Sequence, residues 1–122
     1  MQYVLLIYGN EANAKNATQA DMNAMMAEYG EYTKSIISTG HMKGGDALQP
    51  SATATTVRVR EGKTLRTDGP FAETKEQLGG YYLVEAKDLD EATKLAARIP
   101  GARTGSIEVR PAMVLPREYP RP

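Results

Sequence analysis

The 122-residue chain has no cysteine and no tryptophan, and it has only one histidine, His41, and one phenylalanine, Phe71. Without cysteine it can form neither a disulfide nor an iron–sulfur cluster, and no thiol is present to act as a nucleophile. A closed structural zinc site needs about four nitrogen or sulfur ligands, which one imidazole cannot supply. We therefore expect no metal and no cofactor, and carboxylates and tyrosines become the main candidates for acid/base chemistry.

The chain also lacks an excess of charge of either sign, because 15 basic residues balance 15 acidic ones. Binding to nucleic acid or to an anionic membrane rests on a basic field, so we expect neither as a partner. The apolar run within residues 1–10 is too short for a signal peptide and lacks a basic start. No later segment approaches the roughly 20 apolar residues that span a bilayer. These absences predict a cytoplasmic protein.

Five segments have the composition and periodicity of β-strands. Residues 2–8 and 78–86 have apolar side chains on both faces, which is typical of strands inside a sheet. Residues 56–60 and 63–67 alternate polar with apolar side chains around a short turn, which predicts a hairpin. Residues 106–113 form the last strand of the prediction, with apolar side chains on one side only. A sixth, glycine-interrupted segment at residues 41–48 gives only a weak strand signal.

Two segments are predicted to be helices. Thr18 can cap the first helix, with Asp21 three residues on, and Gly40 is a natural end. Apolar residues recur along this helix at intervals of three and four, which predicts one buried stripe: Met22, Met25, Met26, Tyr29, Tyr32, Ile36 and Ile37. The three methionines are expected to fill the core. Asp88 can cap a second helix, which ends at Pro100.

This order of elements predicts an α+β fold, a ferredoxin-like split β-α-β sandwich with an antiparallel sheet. Its first and third main strands lie centrally, with the hairpin and the last strand at the edges. Two helices cover only one face of such a sheet, so the other face needs a separate cover. We therefore predict a homodimer in which two sheets pack together. The domain is expected to span residues 1–113, with an extended, proline-rich tail at 114–122.

Turn-forming and titratable residues are densest between residues 68 and 82. Gly69 permits a backbone excursion and Pro70 fixes φ, so Asp68 and Phe71 are held in defined directions. This stretch resembles the DGPF signature of the YCII-related family. Four further segments look like family sequence: Tyr3–Gly9, Gly44–Pro50, Ala52–Arg58 and Ser106–Pro111.

The family resemblance implies a dimeric α/β barrel built from ferredoxin-like subunits. Some relatives look like small-molecule isomerases or dehalogenating enzymes with a His/Asp pair. Relatives of the DGPF type tend to accompany extracytoplasmic-function sigma factors. We predict that a small molecule binds in a dimer cavity near the loop from Asp68 to Phe71, and we leave open whether the protein is an enzyme. The alternative is a non-catalytic regulatory or sensing module associated with such a sigma factor.

The candidate catalytic residues are Asp68 and His41. Asp68 can move a proton if apolar neighbours raise the pKa of its carboxyl group, but an aspartate that only organises the Gly-Pro corner fits equally well. His41 follows a helix end, where a cation near the C-terminus is the simpler interpretation. It faces the same side as Asp46 only if a bulge at Gly44-Gly45 resets the strand.

The predicted ligand-binding residues are Asp46, Phe71, Gly79, Gly80, Tyr81, Tyr82 and Arg110. Phe71 can instead plug the core, and Arg110 can simply keep an edge strand soluble. Tyr81 and Tyr82 are neighbours and face opposite sides of a strand. We therefore expect one to pack under the helices and the other to face the dimer cavity.

Overall fold

The computed structural model describes residues 1–122 and contains six strands and two α-helices. The strands are β1 (Gln2–Gly9), β2 (Met42–Ala47), β3 (Thr55–Arg60), β4 (Lys63–Asp68), β5 (Gln77–Glu85) and β6 (Ser106–Pro111). The helices are α1 (Gln19–Ser38) and α2 (Leu89–Ala97), and short 3-10 segments span Glu11–Asn16, Ser51–Thr53 and Pro100–Arg103. No helix is long and apolar enough to cross a membrane.

Four strands form the main sheet in the order β2-β5-β1-β6, and every neighbouring pair is antiparallel. The two strands with two apolar faces, β1 and β5, lie at the centre, as the sequence predicts. This arrangement confirms the mixed α+β class and is the order of a ferredoxin-like split β-α-β sandwich.

The helices lie on one face of the sheet, where Leu5 and Val84 from the central strands are fully buried together with Ile36 of α1. The rest of the core cluster comes from the same strands, the residue after β5, both helices and the segment after α2: Tyr3, Tyr32, Tyr82, Ala86, Ala92, Leu95, Ala96 and Ile99. The predicted capping box between Thr18 and Asp21 is present at the start of α1. No side chain from the opposite face of the sheet belongs to this cluster.

The predicted core role of the three α1 methionines is wrong for the chain by itself. Met22, Met25 and Met26 are 54%, 39% and 73% exposed. Ile37 is 59% exposed, although it also belongs to the predicted stripe. The core cluster takes only Tyr32 and Ile36 from α1, so the helix is anchored through its C-terminal half.

The hairpin forms where the sequence predicts it, but it is not part of the main sheet. Strands β3 and β4 pair only with each other, through a turn at Glu61 and Gly62 with φ of 52° and 74°. Positive φ at both turn positions is characteristic of a type I′ hairpin. The expected edge position is wrong because the weakly predicted strand β2 already occupies the edge beside β5.

Candidate functional site

A cleft of about 650 Å³ borders the middle of α1 and the helix-covered face of the sheet. Met25, Met26, Tyr29 and Thr33 of α1 line it, opposite Ile7 of β1 and other residues of the sheet. A cleft of this volume is in the range of small-molecule sites, which are typically about 300–1,000 Å³ and mostly apolar.

Small residues in the sheet leave this cleft open. The strand register pairs Ala47 with Gly80 and Gly45 with Tyr82, on the face that the helices cover. A Cβ atom at Gly80 would lie 2.8 Å from the carbonyl oxygen of Asp46, and one at Gly45 would lie 2.7 Å from that of Tyr81. The two strands therefore approach closely because these positions are glycine, and the same positions put no side chain under α1.

Hydroxyl groups provide polarity at the cleft. The hydroxyls of Thr33 and Tyr82 form a hydrogen bond of 2.8 Å, and the hydroxyl of Tyr29 accepts a 3.2 Å hydrogen bond from the N–H of Gly101. The ring of Tyr82 packs edge-on against Tyr32, with 5.2 Å between centroids. Burial raises the pKa of Tyr29 above its ordinary value, so this phenol is neutral and can donate a hydrogen bond at physiological pH.

Glu11 fixes one border of the cleft. Its carboxylate accepts hydrogen bonds from the N–H and the hydroxyl of Ser51, at 2.9 and 3.0 Å. Its own N–H donates to the side-chain oxygen of Gln77 at 2.9 Å. Glu11 and Gln77 both line the cleft. These contacts tie the 3-10 segment after β1 to the chain before β3 and to the start of β5.

Tyr81 and Asp46 form a second polar feature, on the other face of the sheet. They are register partners, and the Tyr81 hydroxyl donates to the Asp46 carboxylate at 2.7 Å. This hydrogen bond raises the pKa of Tyr81, because ionising the phenol would place two negative charges side by side. Tyr82 lies under the helices, so the two neighbouring tyrosines face opposite sides.

Asp68 and Phe71 lie away from both features. Asp68 is exposed at the end of β4, opposite Thr55, and Phe71 is 78% exposed. The expectation that Phe71 plugs the core is therefore wrong for the single chain. Gly69 has φ of 97°, and its N–H donates to the carbonyl of Ala54 at 2.7 Å. The Gly-Pro corner thus closes the base of the hairpin.

The side chain of His41 lies between the end of α1 and helix α2 and contacts a residue of each. Its Nδ1 lies 2.7 Å from the hydroxyl of Thr39 at the end of α1, and its Nε2 lies 3.3 Å from the carboxylate of Glu91 in α2. It has no hydrogen bond or ion pair with Asp68. The strand does shift register, but between Met42 and Gly44, one residue earlier than the proposed bulge. These contacts match the simpler interpretation of a histidine near a helix end.

The structure divides the sequence-predicted site residues into two groups. Five are among the residues that line the cleft, although strand register places the side chains of two of them, Asp46 and Tyr81, on the other face of the sheet: Asp46, Gly79, Gly80, Tyr81 and Tyr82. Four are not: His41, Asp68, Phe71 and Arg110. Arg110 is exposed on β6 and donates to Glu108 of the same strand at 2.6 Å. No group of three or more histidine, aspartate or glutamate side chains is placed to hold a metal ion.

Sequence reasoning missed Glu11 and the α1 residues as parts of a site. The partners of Glu11 lie 40 and 66 residues away, so no local pattern indicates them. For Met25 and Met26 a signal existed, because they belong to the apolar stripe of α1, but that signal was interpreted as core packing.

Two comparisons with known proteins give a consistent result. A family model described as the YCII-related domain matches residues 1–115. An uncharacterized protein of Rhizobium meliloti (strain 1021) is 37% identical over 123 residues, which cover 98% of this chain and 99% of the relative.

Proposed function

Since the chain belongs to the YCII-related family, we propose that it binds a small molecule, and that the ligand occupies the cleft beside α1. The observation that carries this proposal is the cleft itself, about 650 Å³ bordered by Ile7, Met25, Met26 and Tyr82. If this part of the protein served only to pack α1 on the sheet, side chains would fill the space, as they do around the buried Ile36.

The side chains that line the cleft indicate which class of ligand would bind there. Aliphatic, thioether and aromatic groups favour a mostly apolar body, because each Å² of apolar surface that leaves water contributes roughly 25 cal/mol. Met25 and Met26 are 39% and 73% exposed and lose part of that exposure when a ligand binds. The hydroxyls of Tyr29, Thr33 and Tyr82 can orient one or two polar groups. The ligand class is therefore a compact apolar or aromatic molecule with a small number of oxygen or nitrogen atoms.

The hydrogen bond between Tyr81 and Asp46 favours a second candidate function, acid/base chemistry on the face of the sheet without helices. A neutral phenol beside a carboxylate pairs a proton donor with a proton acceptor, as general acid/base catalysis requires. This candidate keeps the predicted dimer cavity but uses Asp46 where the sequence favoured Asp68. A catalytic role of Asp68 or His41 stays a prediction.

Cleft binding is tested with two matched variants and the fluorescent dye 8-anilinonaphthalene-1-sulfonate, an aromatic molecule with one anionic group. Ala47→Leu adds a larger side chain to a lining residue, and Ala97→Leu makes the same change at an exposed position of α2 outside the cleft. We expect wild type and Ala97→Leu to enhance dye fluorescence equally, and Ala47→Leu to weaken dye binding about tenfold. Equal dye binding by all three proteins, with circular dichroism showing an intact fold, would contradict cleft binding.

Association with an extracytoplasmic-function sigma factor also stays a prediction. Purified chain used as bait for such a sigma factor tests it directly, and recovery no better than with an unrelated bait would count against the regulatory alternative.

A further inference from the structure

The charged residues that line the cleft beside α1 are all acidic. None of the 15 lysine and arginine residues of the chain is among them, and neither is its one histidine. The two charged residues that do line the cleft are Glu11 and Asp46. The Asp46 side chain lies on the other face of the sheet, where it accepts a hydrogen bond from Tyr81. Glu11 therefore supplies the one formal charge that a ligand in the cleft would meet.

The Glu11 carboxylate has no cation beside it. Glu11 is half-buried and belongs to none of the ion pairs of the chain. The groups that donate to the carboxylate are the N–H and the hydroxyl of Ser51, at 2.9 and 3.0 Å, and both of these donors are neutral. Each carboxylate oxygen has two acceptor positions, and Ser51 occupies one on each. Glu11 is thus a negative charge held in place, with acceptor positions left for another donor.

The neighbouring side chains also favour a positive charge. Tyr29 and Tyr82 bring aromatic rings to the cleft, and Met25 and Met26 bring polarisable thioethers. A cation is attracted to the face of an aromatic ring within about 6 Å of its centre, and many ammonium ligands are recognised in this way. An anionic ligand would find no positive side chain in the cleft and would lie near a charge of its own sign.

We propose that the ligand is an organic cation, with an ammonium group beside Glu11 and a compact apolar or aromatic body against Ile7 and the methionines. This inference rests on the proposed cleft binding and adds the charge of the ligand to it. Opposite charges near a protein surface attract more strongly than in water, because the effective dielectric constant there is about 20. Specificity is a difference between affinities. A negatively charged dye can therefore still bind through its rings, but more weakly than a cation with the same body.

Three probes with the same naphthalene body test the charge. They are the cation 1-naphthylmethylammonium, the neutral 1-naphthylmethanol and the anion 1-naphthylacetate, and calorimetric titration at low salt gives the Kd of each. We expect the cation to bind at least about tenfold more tightly than the alcohol, and the alcohol more tightly than the anion. Added salt should narrow this difference, because salt screens partly exposed charges. Equal Kd values for the cation and the alcohol overturn the proposal.

Two matched variants test whether Glu11 is the source of the preference. Glu11→Gln and Glu76→Gln remove the same charge from half-buried glutamates that each accept a hydrogen bond from a serine hydroxyl, but only Glu11 lines the cleft. We expect Glu11→Gln to weaken binding of the cation about tenfold and to change binding of the alcohol less than about twofold. Glu76→Gln should change neither by more than about twofold. Equal losses of cation binding in the two variants contradict the assignment to Glu11. Equal weakening of the cation and the alcohol by Glu11→Gln contradicts it as well, because Glu11 would then act only on the shape of the cleft.

The variant Ala47→Leu separates the charge of the ligand from cleft binding itself. It narrows the cleft, so it should weaken binding of all three probes. If Ala47→Leu and wild type bind the probes equally, the probes lie elsewhere and cleft binding fails together with the charge. If Ala47→Leu weakens all three probes and wild type does not prefer the cation, cleft binding stands and only the charge of the ligand is wrong.

Discussion

Ile36 and Ile37 are neighbours on α1 with the same side chain, but Ile36 is fully buried and Ile37 is 59% exposed. Replacing each with alanine removes the same atoms from two different environments. Ile36→Ala leaves a cavity between α1 and the central strands, and a large-to-small core substitution of this kind costs about 2–5 kcal/mol. For Ile37 the side chain is mostly in water already, so we expect a change within about 0.5 kcal/mol.

Urea unfolding followed by circular dichroism measures both values, at a protein concentration low enough to keep the chain monomeric. A loss of 2–5 kcal/mol is large beside the 5–15 kcal/mol that stabilise a typical domain, so Ile36→Ala shifts the midpoint clearly. A loss below about 1 kcal/mol for Ile36→Ala would refute the packing of α1 described above. Equal losses for the two variants would refute the orientation of the helix, because Ile37 would then be buried too.

Two further predictions concern tyrosine ionisation. Asp46→Asn removes the neighbouring negative charge and should lower the pKa of Tyr81, seen as earlier phenolate absorbance in a pH titration, whereas Asp90→Asn should leave the titration unchanged. Burial raises the pKa of Tyr32 in the folded chain above the ordinary tyrosine value of about 10. Its contribution to stability is therefore complete below pH 10 and is lost as the pH rises above 10. Tyr32→Phe should make the alkaline decline in the free energy of unfolding shallower, and an unchanged slope would contradict this.

The strand faces are the part of the fold that the sequence predicts well. A strand inside a sheet whose two faces are both covered has apolar side chains on both faces, and only β1 and β5 have such a run, at residues 3–8 and 81–84. Because side chains alternate with a period of two, this pattern identifies the central strands without any knowledge of their partners. The capping box at Thr18 is equally predictable, since both of its hydrogen bonds join residues three apart.

The cleft is not predictable in the same way. Helical periodicity shows which side of α1 faces the sheet, but it does not show what the sheet presents there. Whether Met25 and Met26 become buried depends on the residues across from them, Gly45, Ala47 and Gly80. These residues come from strands that meet only in the folded chain. An apolar stripe over large side chains becomes core, and the same stripe over glycine and alanine becomes the wall of a cleft.

The DGPF stretch shows a different limit. Its glycine and proline identify the family by their spacing, and in the structure they close the base of the β3-β4 hairpin, where the N–H of Gly69 donates to the carbonyl of Ala54. Glycine and proline indicate the backbone conformation of a turn from their own chemistry. The environment of Asp68 depends instead on residues that only the fold brings near it, such as Thr55 on the paired strand. A specific motif therefore predicts the backbone of its own loop, while a ligand near that loop stays a prediction.

Strand β5 connects the two candidate functions, because its alternation places the side chain of Tyr82 under the helices and that of Tyr81 on the other face of the sheet. If the sheet of a second copy covers that other face, as the predicted homodimer requires, the hydrogen bond between Tyr81 and Asp46 moves from water into an interface. Burial disfavours the charged form of a phenol, so Tyr81 would become harder still to ionise there. Acid/base chemistry at this pair would therefore change with dimerisation. Ligand binding in the cleft would not, because the cleft lies on the face that α1 already covers.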